Sequence, residues 1–255
     1  MLNIVIPMAG KGSRFKNAGY TLPKPMIPVH GKPMIQIVIE NLEPSREHRF
    51  IFLCLQEHLK QFSLKKLLSE LAPNCLIIEV DQVTEGAACT VLLAKKYINN
   101  NDPLMIANCD QWIDININAY LEKMDQTEAD GFIMTMWADD PKWSFVRLDT
   151  FDHVCEVVEK EVVSNQATVG IYNYRRGADF VEAAEAMIIK NFRVNNEFYV
   201  APAYNQMISK NMKLDFYNIG QDGFGMHGLG TPTDLEQFLQ HIPASRLSTN
   251  SKICA

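Results

Sequence analysis

Short, continuous apolar runs alternate with helical patterns through the first half of the chain, and this alternation constrains the fold more than any other feature. The runs are rich in β-branched and aliphatic residues, which is typical of strands buried on both faces of a parallel sheet. They lie at 2–7, 49–55, 75–80 and 102–108. Helical patterns at 33–42 and 86–98 separate some of them. The alternation predicts βαβ units with right-handed crossovers, in which ligands bind at the carboxyl ends of the strands.

The second half of the chain follows a different pattern. Four strand-like segments follow one another with little helix between them, which indicates mixed or antiparallel pairing. They lie at 131–137, 144–149, 153–160 and 167–174. Further helices are predicted at about 177–190, at 202–210 and from Thr233, with a strand at 213–218. We therefore predict an α/β fold with a mixed, mainly parallel sheet flanked by helices.

Composition and charge narrow the class of protein. The formal net charge of -6 argues against nucleic-acid binding, which needs a basic face, but not against a small anionic ligand bound by a local cluster of cations. The six cysteines form no CxxC pair, so we expect reduced thiols with neither a disulfide framework nor a metal cluster. No apolar run is long enough for a signal peptide or a membrane span, and a cytoplasmic protein is expected.

Residues 7–15, PMAGKGSRF, follow the first predicted strand and indicate an anion site. Gly10 and Gly12 allow close approach of the backbone, and Lys11 and Arg14 supply positive charge. The segment lacks the GxxxxGK[ST] pattern of a P-loop, and Phe15 stands where a dinucleotide fingerprint needs its third glycine. The alternative is an ordinary glycine-containing turn with an arginine on the surface.

The next segment, TLPKPMIPVHGKPMI at 21–35, holds one lysine in a stiff frame. Proline fixes its own φ and biases the preceding residue toward extended geometry. Lys24 stands between two prolines and therefore has little backbone freedom. Such a lysine suits the role of a positioned cation.

Together these two segments closely resemble the signature of the nucleotidylyltransferases, which activate sugar 1-phosphates and related phosphates with a nucleoside triphosphate. The resemblance runs in order over about residues 3–240. Its further matching segments are TEGAACTVLLA (84–94), NCD (108–110), EVVEK followed by ATVGIYNY, and GLGTPTDLEQFL (228–239). Within the family, the chain looks most like the short members found with capsule or surface-glycan genes, such as the CTP:phosphoglutamine cytidylyltransferases.

The resemblance implies a Rossmann-like fold of the nucleotide-diphospho-sugar transferase type, with one domain at 1–242 and a loosely held polar tail at 243–255. It implies transfer of a nucleotidyl group to a small phosphorylated acceptor, with release of pyrophosphate and with Mg²⁺ as cofactor. The resemblance alone favours CTP as the nucleotide. It also favours a role in the synthesis of capsule or surface-glycan precursors. Whether the chain forms a homodimer stays open.

Residue roles toward the nucleotide also follow from the resemblance. Arg14 would stabilise the departing pyrophosphate, and Lys24 would bind the α-phosphate. Lys11 could equally be a solvated surface charge, and Glu85 an ordinary acid in the first turn of a helix. The residues assigned to nucleotide binding are Met8, Ala9, Gly10, Lys11, Gly12, Gln82, Glu85, Gly86 and Asn108.

Metal and acceptor roles are assigned in the same way. Asp110 is the expected Mg²⁺ ligand; the alternative is a turn or helix-capping aspartate after the strand. Lys160 would bind the acceptor's phosphate and Glu159 its polar body, although Glu161 replaces the proline that usually follows "EK". Glu197 and Tyr199 are expected to contact the acceptor, or else to cap and pack locally.

One position departs from the family pattern. Many members carry a second metal-binding aspartate near the end, in a Trp-x-Asp-x-Gly-Thr stretch, where this chain has Gly228. Asp222, His227 or water could take its place. The departure keeps two other functions open, a metal-dependent glycosyltransferase of similar architecture and a non-catalytic nucleotide sensor. Arg14, Lys24 and the absence of a DxD motif favour nucleotidyl transfer.

Overall fold

The helices and strands follow the predicted alternation. The computed structural model describes residues 1–247. The strands are β1 (Leu2–Met8), β2 (Pro28–Val29), β3 (Lys32–Pro33), β4 (His48–Leu55), β5 (Leu76–Val80), β6 (Leu104–Ala107), β7 (Gln111–Ile113), β8 (Gly131–Trp137), β9 (Ser144–Leu148), β10 (Val154–Glu159), β11 (Gln166–Tyr174), β12 (Leu214–Asp222) and β13 (Gly225–Gly228).

The helices are mostly short. They are α1 (Ser13–Asn17), α2 (Met34–Leu42), α3 (Gln56–Gln61), α4 (Leu64–Leu71), α5 (Ala87–Leu92), α6 (Lys95–Ile98), α7 (Ile117–Thr127), α8 (Gly177–Ile189), α9 (Tyr204–Ile208), α10 (Pro232–His241) and α11 (Ala244–Leu247), with 3₁₀ turns at Lys24–Met26 and Ala201–Ala203. Among residues 1–247, no helix has both the length and the apolar character needed to cross a membrane.

The main sheet has the strand order β5-β4-β1-β6-β11-β8-β12-β13-β7, with β9 and β10 attached beside β11. Its first four strands are parallel, as the buried apolar runs predict. β11 then runs antiparallel to both β6 and β8, so the change of direction expected in the second half is confirmed. The fold is the mixed α/β sheet with flanking helices that the sequence predicts.

Parallel pairing brings the ends of β1 and β6 together. The two strands pair from Asn3↔Leu104 to Val5↔Ile106, and both then turn into loops at the same sheet edge. The glycine loop after Met8 and the Asn108–Asp110 turn after Ala107 therefore emerge side by side. Both motifs therefore lie at the carboxyl edge of the sheet, where the predicted βαβ units place a ligand site.

Apolar side chains cover both faces of the sheet. On β1, Ile4 and Ile6 pack on the face covered by α2, α4 and α7, whereas Val5 packs on the face covered by α5, α6 and α8. All three side chains are completely buried. The alternation follows from the two-residue period of a strand, and it fixes the register that places the loops.

Several elements differ from the sequence-based expectation. The helix predicted at 86–98 is interrupted and forms α5 and α6. α3, α4 and α7 were not predicted. Asn116 caps the N-terminus of α7, and its side chain accepts a hydrogen bond from the backbone N–H of Asn118 at 2.9 Å. The spacing of the buried residues of α7, Ile117, Tyr120, Leu121 and Met124, is that of an amphipathic helix, so the sequence did contain a signal for it.

The predicted tail is partly ordered. α11 lies inside the segment expected to be loosely held, and Leu247 is buried against the cluster that contains Trp112 and Phe238. Residues 248–255, which include Cys254, lie outside the described part. The other five cysteines are free thiols, with Cys155 exposed. The boundary of the domain at residue 242 stays a prediction.

Asn41 fastens the strand at the end of the main sheet to helix α2. Its Nδ2 donates to the carbonyl of Ile113 at 2.8 Å, and its Oδ1 accepts from the N–H of Ile113 at 2.8 Å. The side chain is only 5% exposed, so both bonds are shielded from water. This pair of bonds holds β7, which begins at the cavity described below.

We expect Asn41→Ala to lower the free energy of unfolding by about 2–4 kcal/mol, because it leaves two buried backbone groups without partners. Urea denaturation measures this effect. Gln36→Ala, on the same helix but partly exposed, is the matched control and should change it by less than about 1 kcal/mol. Equal losses in the two variants would contradict the role given to Asn41.

Candidate active site

A cavity of about 370 Å³ lies at the carboxyl edge of the sheet. Seven residues assigned from the sequence or directly adjacent to them line it: Arg14, Ala87, Asn108, Asp110, Glu159, Lys160 and Tyr199. Residues from the glycine loop, the centre of the sheet and the β10–β11 region therefore share one space. The opening is continuous from the predicted nucleotide side to the predicted acceptor side.

Lys24 forms an ion pair with Asp110, one of the residues that line this cavity. The ammonium nitrogen lies 2.8 Å from Oδ2 of Asp110, and the two side chains are 23% and 21% exposed. Burial lowers the pKa of Lys24, but the charge and hydrogen bond of Asp110 outweigh it, so the net pKa lies above its usual value. Lys24 is therefore a fixed positive charge at neutral pH.

The glycine loop places Arg14 at the edge of the same cavity. Gly12 adopts φ +60 just before α1, a conformation that favours glycine, and a Cβ there would stand 3.4 Å from the Cβ of Lys24. Gly10 is exposed and has nothing within 4 Å of where its Cβ would be. Lys11 is also exposed, whereas Met8 and Ala9 are buried at the end of β1.

The segment expected to bind the base has a structural reason for its glycine. Gly86 adopts φ +136, and a Cβ there would stand 2.4 Å from the carbonyl oxygen of Phe198. Glycine is therefore required at position 86 because any larger residue would collide with the backbone of Phe198. Glu85 is exposed and pairs with Arg193 at 3.2 Å, and Gln82 is exposed as well. None of these three predicted base contacts lines the cavity.

On the predicted acceptor side, Lys160 and Tyr199 contact each other. The ammonium donates to the tyrosine hydroxyl at 2.7 Å and lies 4.7 Å from the ring centroid. This hydrogen bond is the main cause of a raised pKa for Lys160. Glu197, by contrast, is exposed and forms a backbone bridge with Val194, and it does not line the cavity.

Glu159 lies deeper in the cavity, within a group of hydroxyls that the sequence reading did not single out. Its carboxylate accepts a hydrogen bond from Ser144. Thr168 and Tyr172 are hydrogen-bonded to each other at 3.0 Å and line the same wall. Strand alternation is the signal that could have identified them, because Thr168 and Tyr172 lie on one face of β11 around Gly170.

Asp234, which the sequence analysis did not assign to the site, lies beside position 228, where the second acid of the family pattern is absent. A Cβ on Gly228 would stand 3.7 Å from Oδ2 of Asp234. A Cβ on Gly230 would stand 2.7 Å from Oδ2 of Asp110 and 4.0 Å from Oδ2 of Asp234. The two carboxylates thus border one small space that the glycine leaves open.

The two substitutes suggested by the sequence lie elsewhere. Asp222 pairs with Lys142 at 3.5 Å, and it lines a neighbouring pocket and not the main cavity. His227 is buried beside Trp112 and Phe238, and its burial lowers its pKa. Neither residue lines the cavity that Asp110 and Asp234 share. Within residues 1–247, no group of three or more histidine, cysteine or acidic residues could hold a metal.

Cations and carboxylates gathered at one edge of the sheet suit an enzyme that binds phosphates. A family model described as "Nucleotidyl transferase" matches residues 4–215, and the chain belongs to that family. The assignment confirms the resemblance drawn from the glycine and lysine segments.

Curated relatives agree with the family. The chain is 28% identical over 182 residues to the bifunctional protein GlmU of Methanococcus maripaludis, covering 67% of this chain and 39% of that protein. It is also 28% identical over 151 residues to a UTP–glucose-1-phosphate uridylyltransferase of Streptococcus pyogenes, covering 49% of each. The chain thus spans less than half the length of these two relatives.

Solved structures share the fold. A nucleoside-diphosphate-sugar pyrophosphorylase from Vibrio cholerae matches with a TM-score of 0.79 and 24% identity, covering 93% of this chain and 99% of that one. A UDP-glucose pyrophosphorylase complexed with UDP-glucose matches with a TM-score of 0.75 and 17% identity, covering 94% and 97%. At these identities the matches show that the architecture is common to all three proteins.

The burial of Glu159 predicts a pH-dependent cost to stability. Burial raises the pKa of its carboxyl in the folded protein, against the opposing effects of Ser144 and Lys160. The ionised form therefore destabilises the fold above that pKa, and the cost disappears as the pH falls below the pKa of the unfolded chain. Glu159→Gln should raise the free energy of unfolding at pH 8 and change it much less at pH 4.

Urea denaturation at the two pH values measures this difference. Glu156→Gln is the matched control, since Glu156 lies on the same strand but is exposed and paired with Arg147 at 2.8 Å. It should give no stabilisation at pH 8. A gain for Glu159→Gln of the same size at both pH values would show that its charge is not the cause.

Proposed function

We propose that this protein transfers a nucleotidyl group from a nucleoside triphosphate to a small phosphorylated acceptor of the sugar 1-phosphate class and releases pyrophosphate. The observation that carries the proposal is a cavity lined by Arg14 and Asp110, with Lys24 paired to Asp110 at 2.8 Å. Family membership and the names of the relatives, which act on glucose 1-phosphate or make nucleotide sugars, support the same class of reaction.

In this reaction, an oxygen of the acceptor's phosphate attacks the α-phosphorus of the triphosphate. The new bond joins that oxygen to the α-phosphorus, and the bond from the α-phosphorus to the bridging oxygen of the β-phosphate breaks, so pyrophosphate leaves with the electron pair. The attacking oxygen is already ionised at neutral pH, and no general base is required. The obstacle is repulsion between two polyanions, so positioned positive charge is the catalytic means.

The residues of the cavity suit these tasks. Lys24 keeps its proton because Asp110 raises its pKa, and it can bind the α-phosphate as a compact charge. Arg14, at the edge of the cavity, can bind the leaving pyrophosphate with its planar guanidinium. Lys160 and Tyr199, on the other side, can receive the phosphate of the acceptor.

The donor set also fits the divalent cation that the family implies. The open space at Gly230 lies between the carboxylates of Asp110 and Asp234, and carboxylate oxygens are suitable Mg²⁺ ligands. We propose that these two residues hold Mg²⁺, with Asp234 in place of the acid missing at Gly228. When bound, the ion supplies charge that offsets the repulsion between the phosphates.

The finer assignments rest on the sequence resemblance. CTP as the nucleotide, phosphoglutamine or a sugar 1-phosphate as the acceptor, capsule or surface-glycan synthesis as the role and the cytoplasm as the location are proposals. The relatives do not support CTP in particular, since one of them is named for UTP. Pyrophosphate release should be measured with each of the five common nucleoside triphosphates and with glucose 1-phosphate, N-acetylglucosamine 1-phosphate, mannose 1-phosphate and phosphoglutamine.

Removing either charged group should slow the reaction. Arg14→Ala and Asp110→Asn are each expected to lower turnover by about 10²-fold or more, the scale of losing one electrostatic stabiliser. The rate of pyrophosphate release at saturating substrates measures this loss.

The matched controls are Lys16→Ala, an exposed cation on the same short helix as Arg14, and Asp125→Asn, an exposed acid paired with Arg46. Both should retain near-normal turnover. Near-normal turnover in Arg14→Ala or Asp110→Asn would remove the assigned role. Failure of the unmodified protein to release pyrophosphate with every pair of substrates would favour a glycosyltransferase or a nucleotide sensor.

The metal assignment has its own test, which does not depend on turnover. Asp234→Asn should weaken binding of Mn²⁺ in the presence of CTP by about 10-fold or more, because one of two carboxylate ligands is lost. Electron paramagnetic resonance of free Mn²⁺ measures the affinity. Asp222→Asn is the comparison and should bind Mn²⁺ as the unmodified protein does; the reverse order of effects would assign the second ligand to Asp222.

A further inference from the structure

Gln111 is a buried residue whose amide has an unused donor. The side chain is 3% exposed and lines the main cavity. Within residues 1–247, its Nε2 has no hydrogen-bond partner. A buried N–H₂ group without a partner is costly, and such groups are rare in folded proteins unless a ligand or water completes them.

The side chains of Gln111 and Asn108 both lie against Gly170. A Cβ on Gly170 would stand 2.6 Å from Oε1 of Gln111 and 2.1 Å from Nδ2 of Asn108. Gly170 also adopts φ +80, and its carbonyl accepts a hydrogen bond from the N–H of Asn108 at 3.0 Å. The amide side chains of Asn108 and Gln111 therefore occupy the space that Gly170 leaves free, and Oε1 of Gln111 lies close to Gly170.

The residue opposite Gln111 in the sheet is Gly228. The two residues pair directly across β7 and β13, so a side chain at 228 would lie on the same face as the glutamine. Glycine at this position leaves the donor unpaired and leaves room beside it.

The location within the cavity indicates which substrate the donor meets. Gly170, against Gln111, stands on β11 between Thr168 and Tyr172, which line the wall shared with Glu159. Lys160 and Tyr199 lie on the same side, where the sequence predicts the acceptor. Arg14 and Ala87 belong to the predicted nucleotide side, and so does Asn108, which lies against the same Gly170.

We propose that Gln111 is a further substrate-contacting residue, whose Nε2 donates a hydrogen bond to an oxygen in the non-phosphate part of the acceptor. The proposal rests on the proposed function, since it assumes an acceptor. A hydroxyl or carbonyl oxygen satisfies the donor, whereas a compound without that oxygen leaves it buried and unpaired. Gln111 would thereby select acceptors with a correctly placed oxygen.

The kinetic test separates acceptor binding from nucleotide binding. Gln111→Leu removes the donor and Gln111→Glu replaces it with an acceptor group of the same shape. Each should raise the KM for the best acceptor of the panel by about 10-fold to 100-fold and leave the KM for the triphosphate within about 3-fold. A change confined to the triphosphate KM, or no change in either, would overturn the proposal.

Two further variants guard against a purely structural effect. Gln206→Leu is the matched control, because Gln206 is also a buried glutamine, accepts from Lys190 at 2.7 Å and lies outside the cavity. It should leave both KM values unchanged. Gly228→Asn offers Nε2 an internal partner without altering Gln111, and it should also raise the acceptor KM. If the KM for the acceptor is unchanged in Gly228→Asn but raised in Gln206→Leu, the effect arises from distortion of the protein structure, and the proposal is overturned.

A binding measurement keeps this inference distinct from the proposed function. In ¹⁵N-labelled protein, the side-chain NH₂ signals of Gln111 are identified by their absence in Gln111→Leu. They should shift on addition of a phosphate of the panel, even if no pyrophosphate is released. Shifts with CTP or UTP alone would place the donor at the nucleotide. No shift with any phosphate of the panel would refute the contact. Turnover without these shifts would leave the proposed function standing and show that this inference is wrong.

Discussion

The ion pair between Lys24 and Asp110 is the contact on which the site depends. It joins a proline-framed loop to the end of a central strand, two segments 86 residues apart in sequence. Each partner is only partly exposed, so an isolated charge at either position would be unfavourable. The pair therefore holds both groups charged and close, and it keeps positive charge beside the cavity although the chain as a whole is negative.

Close approaches of backbone and side chains, made possible by glycine, set the shape of the cavity. Gly86 admits the backbone of Phe198, and Gly170 admits the amides of Asn108 and Gln111. Gly230 leaves the space between two carboxylates. A Cβ at any of these positions would meet an atom at 2.7 Å or less, so the glycines act on the geometry of the site and do not merely loosen the chain.

Much of the fold and the charged centre of the site could be predicted from sequence, because both depend on local patterns. Buried parallel strands appear in the sequence as apolar runs, and the glycine loop and the Asn108–Asp110 turn, which follow two of these strands, lie at one edge of the sheet. What could not be predicted depends on contacts between distant segments. Nothing in the local sequence indicates that Glu85 is paired with Arg193, or that Asp234, the third residue of a helix, faces Asp110.

The glycine at position 228 shows why one departure from a family pattern is best interpreted in three dimensions. In the sequence it reads as the loss of a metal ligand. In the structure the same absence leaves space on two sides, toward the carboxylate of Asp234 and toward the amide of Gln111, its partner across the strands. A carboxylate at position 228 would compete with that of Asp234 and would accept the hydrogen bond that the amide of Gln111 can donate. The single change therefore links the proposed metal site to the proposed selection of acceptors, since both depend on the same missing side chain.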